Sequence, residues 1–230
     1  MTKVERMFDR ISRRYDLMNS VMTYGGDRRW RRFAVSKLEM VDGGALLDVG
    51  AGTGKISFEA LRRYPGIRCV GADLSQGMLD VAERRRLRTG RSTEEIRFLR
   101  ADAQELPFDD GEFNAVVSGY LIRNAPDIPK TLAEQYRVLR SGGRVVCMDT
   151  APPARPGIRK MADVYFKHVI PGIGALLASS RDAYAYLTTS TLEFKRPEEI
   201  TARLRDAGFE DIAYREFLFG MNIVYWGTKP

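Results

Sequence analysis

The chain is predicted to fold as an α/β protein with a doubly wound, mostly parallel sheet. Between Ala45 and Asp149, short apolar runs alternate with stretches of helical periodicity. Strands separated by helices join through right-handed crossovers into a parallel sheet. The first run, Leu46-Leu47-Asp48-Val49, enters the turn Gly50-Ala51-Gly52-Thr53-Gly54. Glycine reaches φ > 0 without strain and lets a ligand approach the backbone, so this turn reads as a strand delivering a binding loop.

The elements follow in order. Residues 3–39 read as helical, with Met7, Phe8, Ile11 and Tyr15 at helical spacing and Trp30, Phe33 and Leu38 marking a second apolar stripe. Strand 45–49 precedes helix 54–63, strand 67–72 precedes helix 77–88, and strand 96–100 follows. Strand 113–118 then precedes helix 128–140, with strand 143–149 after it. Beyond Pro152-Pro153 the alternation stops, and 157–190 reads as helices around Pro171-Gly172, carrying Tyr165, Phe166, Tyr184 and Tyr186. Helix 197–207 ends at Ala207-Gly208, a glycine stop, and strands near 209–217 and 221–228 close the chain. The expected organisation is an N-terminal helical cap at 1–40 and one domain at 41–230, with a helical lid insertion at about 157–190. The aromatic content of that insertion suits ordinary core equally well.

Composition sets outer bounds. At 230 residues the chain fits one large domain, and 44% apolar residues supply its core. No apolar run resembles a secretory signal or a bilayer span, which points to the cytoplasm. Cys69 and Cys147 sit inside apolar runs and read as core filling, and neither their spacing nor a lone His168 builds a metal site. The net charge is +7, with basic clusters at Arg13-Arg14, Arg28-Arg29, Arg31-Arg32 and Arg84-Arg85-Arg86. Such clusters are solvated helix faces, or they meet anionic membrane or nucleic acid. No RNA-binding module and no Asn/Asp-Pro-Pro-Tyr/Phe signature accompanies them, so no nucleic-acid partner is expected.

Three strand ends narrow the ligand. The dinucleotide fingerprint is Gly-x-Gly-x-x-Gly, placing a pyrophosphate at a helix N-terminus. Here the third glycine comes one residue early, the spacing of enzymes that use S-adenosylmethionine (SAM), which has no pyrophosphate. A second apolar run ends at Asp73-Leu74, where a carboxylate meets a ribose diol, and a third ends at Asp102-Ala103, suited to an adenine ring. The candidate cofactor residues are Gly50, Gly52, Thr53, Asp73, Leu74, Asp102, Ala103 and Gly119. Any one of these turns alone is also an ordinary strand-to-helix connection; the three together point to a SAM-dependent methyltransferase.

Four segments carry a resemblance over nearly the whole length: Tyr15-Asp16-Leu17-Met18-Asn19 with Arg29-Trp30, the glycine loop, Ile122-Arg123-Asn124, and Arg137-Val138-Leu139-Arg140-Ser141-Gly142-Gly143-Arg144. The chain resembles the ubiquinone/menaquinone C-methyltransferases. The resemblance implies a seven-stranded class I methyltransferase fold with an antiparallel hairpin at one sheet edge. It implies C-methylation of a prenylated quinol, demethylmenaquinol first, with Arg123, Asn124, Tyr15 and Asp16 at the catalytic centre. Arg123 would orient a water or steady the deprotonated quinol, since a guanidinium stays charged and is no base. Peripheral contact with an anionic membrane and a homodimer are the further partners it allows. The chain departs from the family at Asp27, where histidine is usual, at Leu121, where glycine is usual, and in the tail Met221-Asn222-Ile223-Val224-Tyr225-Trp226-Gly227. These departures keep open another quinone position or a soluble phenolic acceptor. A non-catalytic SAM-binding subunit of a quinone-biosynthesis assembly is the reading of another class.

Overall fold

The structure is a computed structural model that describes residues 3–23, 25–153, 156–165, 190–191 and 194–230. Two helices open the chain, α1 (Lys3–Met22) and α2 (Asp27–Ser36). The sheet is then built from β1 (Ala45–Val49), α3 (Lys55–Arg63), β2 (Arg68–Asp73), α4 (Gln76–Arg88), β3 (Ile96–Arg100) and β4 (Phe113–Gly119). A 3-10 turn at Ile122–Asn124 leads to α5 (Ile128–Val138) and β5 (Leu139–Thr150). After α6 (Pro156–Val164), the last described helix α7 (Pro197–Asp206) precedes the hairpin β6 (Glu210–Phe217) and β7 (Asn222–Thr228).

The seven strands are ordered β3-β2-β1-β4-β5-β7-β6, parallel except for β7, which runs antiparallel to both neighbours. The order in which strands are added reverses between β1 and β4, so a crevice opens beyond their carboxyl ends. Successive residues of the central strands face opposite layers. Leu47, Val116 and Val145 pack with Leu132 of α5 and Ile200 and Leu204 of α7. Leu46, Val117 and Val146 pack with Trp30 and Val35 of α2 and Ile56 and Leu61 of α3. Cys69 and Cys147 are buried in these layers.

The helix expected at 128–140 stops at Val138, and the strand expected from residue 143 begins at Leu139. Leu139 already pairs with Phe113 of β4, and tertiary pairing wins over the helical periodicity of the preceding segment. Of the insertion expected at 157–190, α6 and Tyr165 are described, and the Tyr165 hydroxyl donates to the Met22 carbonyl at the end of α1 at 3.4 Å. Phe166, Tyr184, Tyr186 and His168 lie outside the described residues. No described helix is long and apolar enough to cross a membrane.

Candidate active site

A cavity of about 230 Å³ lies beyond the ends of β1, β2 and β4, lined among others by Gly50, Gly52, Asp73, Leu74, Asp102, Ala103 and Gly119. The glycine loop forms its floor. Gly50, Gly52 and Gly54 have φ of 71°, 54° and 77°, and the Gly50 and Ala51 amides bind the Ala72 carbonyl at 2.8 and 3.0 Å. A Cβ on Gly52 would meet nothing closer than the Gly50 carbonyl at 4.0 Å, so this glycine leaves open space on the cavity side of the chain. Gly119 is glycine for another reason, since a Cβ there would lie 2.5 Å from the Ile56 side chain.

Asp73 accepts the Gly52 amide at 2.8 Å through Oδ2 and the Ser75 amide at 2.8 Å through Oδ1. Burial pushes its carboxyl above the ordinary range, while those backbone donors pull it back. Asp102 takes the Gln104 amide at 2.9 Å on Oδ1, leaving its other oxygen for a ligand. Two carboxylates about a glycine floor match the ribose hydroxyls and adenine amine of SAM, so the residues present fit the cofactor. Thr53 serves differently. Its side chain is turned to α1, donating to Asp16 Oδ1 at 2.7 Å.

Helix α1 forms a wall of this cavity through Glu5, Phe8 and Tyr15. Its acids at positions 5, 9 and 16 share one helical face. Glu5 pairs with Arg100 at the end of β3, and Asp9 takes the Ser75 hydroxyl at 2.6 Å and the Gly77 amide at 2.9 Å at the start of α4. Asp16 is bound by Thr53, by Lys55 at 3.5 Å and by Arg85 of α4. Lys55 also reaches the buried Asp27, 3.6 Å away, which in turn pairs with Arg31 at 3.2 Å. Asp16 thus has both oxygens engaged in holding α1 against the cofactor loop. Arg31, Arg85 and Arg86 of the basic clusters are spent on such pairs, whereas Arg28, Arg29 and Arg84 are exposed.

A second, smaller cavity of about 60 Å³ adjoins the first and is lined by Asn19, Thr23, Trp30, Arg123, Thr150, Asn222 and their neighbours. Tyr120 lines both cavities. Sequence reasoning passed over Tyr120 because nothing local marks it. It sits at φ 58° without being glycine, held by its amide on the Met148 carbonyl at 2.6 Å and by Asn124 Nδ2 on its own carbonyl at 2.8 Å. Such strain persists only where surrounding structure enforces it, and it concentrates at functional sites.

Arg123 is anchored through Nη1 on Asp149 Oδ1 at 2.9 Å, while its backbone amide meets Asp149 Oδ2 at 3.1 Å. The guanidinium carbon lies 4.9 Å from the centre of the Tyr120 ring, and the buried Nε has no partner. Burial lifts the Asp149 carboxyl above its ordinary value, and the neighbouring guanidinium opposes that rise. Burial likewise raises the hydroxyls of Tyr15 and Tyr120, so both stay protonated donors at neutral pH. Asp48, deep at the end of β1, holds the Ser57 amide and hydroxyl of α3 at 3.1 and 2.5 Å and lines neither cavity.

A family model described as the ubiE/COQ5 methyltransferase family matches residues 1–229. The chain belongs to that family. It is 46% identical over 98% of its length to a protein of Desulfotalea psychrophila named ubiquinone/menaquinone biosynthesis C-methyltransferase UbiE, covering 90% of that protein. It is 39% identical over 97% of its length to a Thermus thermophilus protein named demethylmenaquinone methyltransferase, covering all of it. A solved SAM-dependent methyltransferase from Thermotoga maritima superposes with a TM-score of 0.66 at 18% identity, covering 99% of this chain and 100% of that one. The fold is therefore that of class I methyltransferases, and the family member described here is a SAM-dependent methyltransferase.

Proposed function

We propose that this enzyme methylates a ring carbon of a prenylated hydroquinone, with demethylmenaquinol as acceptor and menaquinol as product. The observation that carries the reading is a cavity holding the Arg123 cation beside the cofactor cavity, with no carboxylate among its described lining residues. Relatives named for demethylmenaquinone methylation support the choice of acceptor.

A quinol carbon is a poor nucleophile until a neighbouring hydroxyl loses its proton and the phenolate spreads charge onto the ring. SAM supplies, when bound, an electrophilic methyl group on a sulfonium. Gly50 and Gly52 would pass beneath the cofactor, Asp73 and Leu74 would hold its ribose, Asp102 and Ala103 its adenine, and Gly119 would approach the sulfonium side. Thr53 would act indirectly, by fixing the loop to α1.

On the acceptor side, Arg123 favours the phenolate over the phenol and stabilises the oxyanion in a site of low dielectric. Tyr15 is a donor and not a base, so the quinol proton would pass through water to bulk solvent, with Arg123 stabilising the phenolate left behind. Asn124 keeps Tyr120 in place, and Asp16 closes α1 over the cofactor; both are positioning roles. The exposed Arg28, Arg29 and Arg84 would attract an anionic leaflet carrying the lipid substrate, placing the enzyme at the cytoplasmic face of the membrane.

The test is incubation with methyl-labelled SAM, reductant and short-chain demethylmenaquinol, read by mass spectrometry. Label on the ring carbon is expected; no transfer in a sample with SAM binding demonstrated overturns the acceptor. Leu121 favours a second reading, because it lines the cofactor cavity and its side chain would lie 3.1 Å from a Gly50 Cβ, narrowing the passage. Faster turnover of a tail-less phenol than of the prenylated quinol would select that reading.

A further inference from the structure

Asn222 opens β7 opposite Thr150 of β5 and is 2% exposed. Its Nδ2 donates to the Tyr120 hydroxyl oxygen at 2.9 Å, while its Oδ1 is buried with no partner. Native proteins leave few buried amide oxygens without a donor, and each such atom calls for an explanation. Here the residue lines the smaller cavity together with Arg123 and Thr150. Because the Tyr120 oxygen is used as an acceptor by Asn222, its hydroxyl proton remains free to donate. The two side chains therefore offer one acceptor and one donor at adjacent points, the complement of a single hydroxyl group.

We propose that Tyr120 and Asn222 form a subsite that binds one hydroxyl of the aromatic acceptor, Asn222 Oδ1 taking its proton and the Tyr120 hydroxyl donating to its oxygen. The proposal rests on the reading of the acceptor as phenolic and deepens it by naming the residues that recognise the ring. Tyr120 is suited to the task because its burial keeps it neutral beside Arg123. Tyr120 lines both cavities, and Asn222, which its hydroxyl meets, lines the smaller one, so a hydroxyl held there lies on the acceptor side. Arg123, whose Nε is also buried and unpartnered, lines the same cavity.

The test is calorimetric titration of the protein loaded with S-adenosylhomocysteine, using 1-naphthol and 1-methoxynaphthalene as probes. The wild type should bind the naphthol about tenfold more tightly than its ether, the discrimination one hydrogen-bonded hydroxyl gives. Tyr120→Phe, which keeps the ring and its packing, and Asn222→Ala should each bring the two probes within about twofold. Affinity for S-adenosylhomocysteine should stay within about twofold of wild type in both variants. Equal binding of the probes by the wild type, absence of naphthol binding, or undiminished discrimination in either variant overturns the subsite. Because the readout is binding, it is independent of the methylation assay. An enzyme that rejects demethylmenaquinol yet discriminates the probes retains the subsite and loses only the acceptor assignment.

Discussion

The Thr53 hydroxyl donates to Asp16 Oδ1 at 2.7 Å, tying the first helix of the chain to the loop that follows β1. Lys55 and Arg85 complete the knot from α3 and α4. The cofactor cavity thus owes one wall to a helix held by buried Met7, Ile11 and Met18 and, in addition, by charged contacts, which dissolved salt screens. Asp16→Asn should weaken SAM binding roughly fivefold, on the order of 1 kcal/mol. Wild-type affinity should fall between low and high salt, and more steeply than in the variant. Calorimetric titration at two ionic strengths measures both; an unchanged affinity in the variant removes Asp16 from the latch.

The glycine loop allows a cleaner separation of folding from binding. At Gly52 the protein leaves room for a methyl group, so Gly52→Ala should cost only the left-handed backbone strain, about 1 kcal/mol. The same methyl would project into the space the cofactor needs. SAM affinity should fall by much more than stability, about a hundredfold, as judged by titration beside urea denaturation.

Asp73→Ala removes the carboxylate expected to hold the ribose and also frees the Gly52 amide. SAM affinity should drop at least tenfold, the scale of a charge-assisted hydrogen bond. Binding at the wild-type level would place the ribose elsewhere.

Arg123→Lys keeps a positive charge but loses the planar fork that reaches Asp149 from beside the smaller cavity. Turnover should fall about a hundredfold, as for loss of an oxyanion donor, while SAM affinity stays within about twofold. Single-turnover rates and titration together decide. A loss confined to SAM affinity would move Arg123 out of the acceptor site.

Asp48 gives a pH signature. Burial lifts its carboxyl from 3.8 to about 7, against the pull of the Ser57 donors. The folded state therefore holds a proton that the unfolded chain has already released above pH 4, and stability falls as pH rises from about 4 to about 7. Three units correspond to roughly 4 kcal/mol as an upper scale. Urea denaturation across pH 4.5 to 8 should show this decline, and Asp48→Asn should lessen it, since the raised carboxyls of Asp73 and Asp149 act in the same sense. A wild-type profile that rises through that window would contradict the buried acid.

Much of this was legible in the residues alone. The strand ends at Asp73 and Asp102 and the loop at Gly50 and Gly52 were readable because each signal lies within a few consecutive residues. Val138 and Leu139 show the limit, since the local pattern favoured a longer helix and pairing with β4 ended it. Asp16 was read as a polar partner of Arg123, whereas the structure engages it with Thr53, Lys55 and Arg85, three partners that the local sequence does not reveal. Tyr120 was missed because a positive φ at a tyrosine has no sequence signature. Asn222 was visible only as part of an unusual tail.

By itself, then, the sequence determined the alternation of strands and helices, the parallel sheet, the glycine loop and the two acids at the strand ends. These depend on periodicity and on backbone freedom, which act between near neighbours along the chain. The tertiary structure alone decided which charges meet and which cavities form. Arg85 reaches Asp16 across 69 residues, and Asn222 reaches Tyr120 across 102. Contacts of that span are set by how the sheet orders its strands and where α1 settles, and hydrogen-bond geometry is decided over tenths of an ångström that no local pattern encodes.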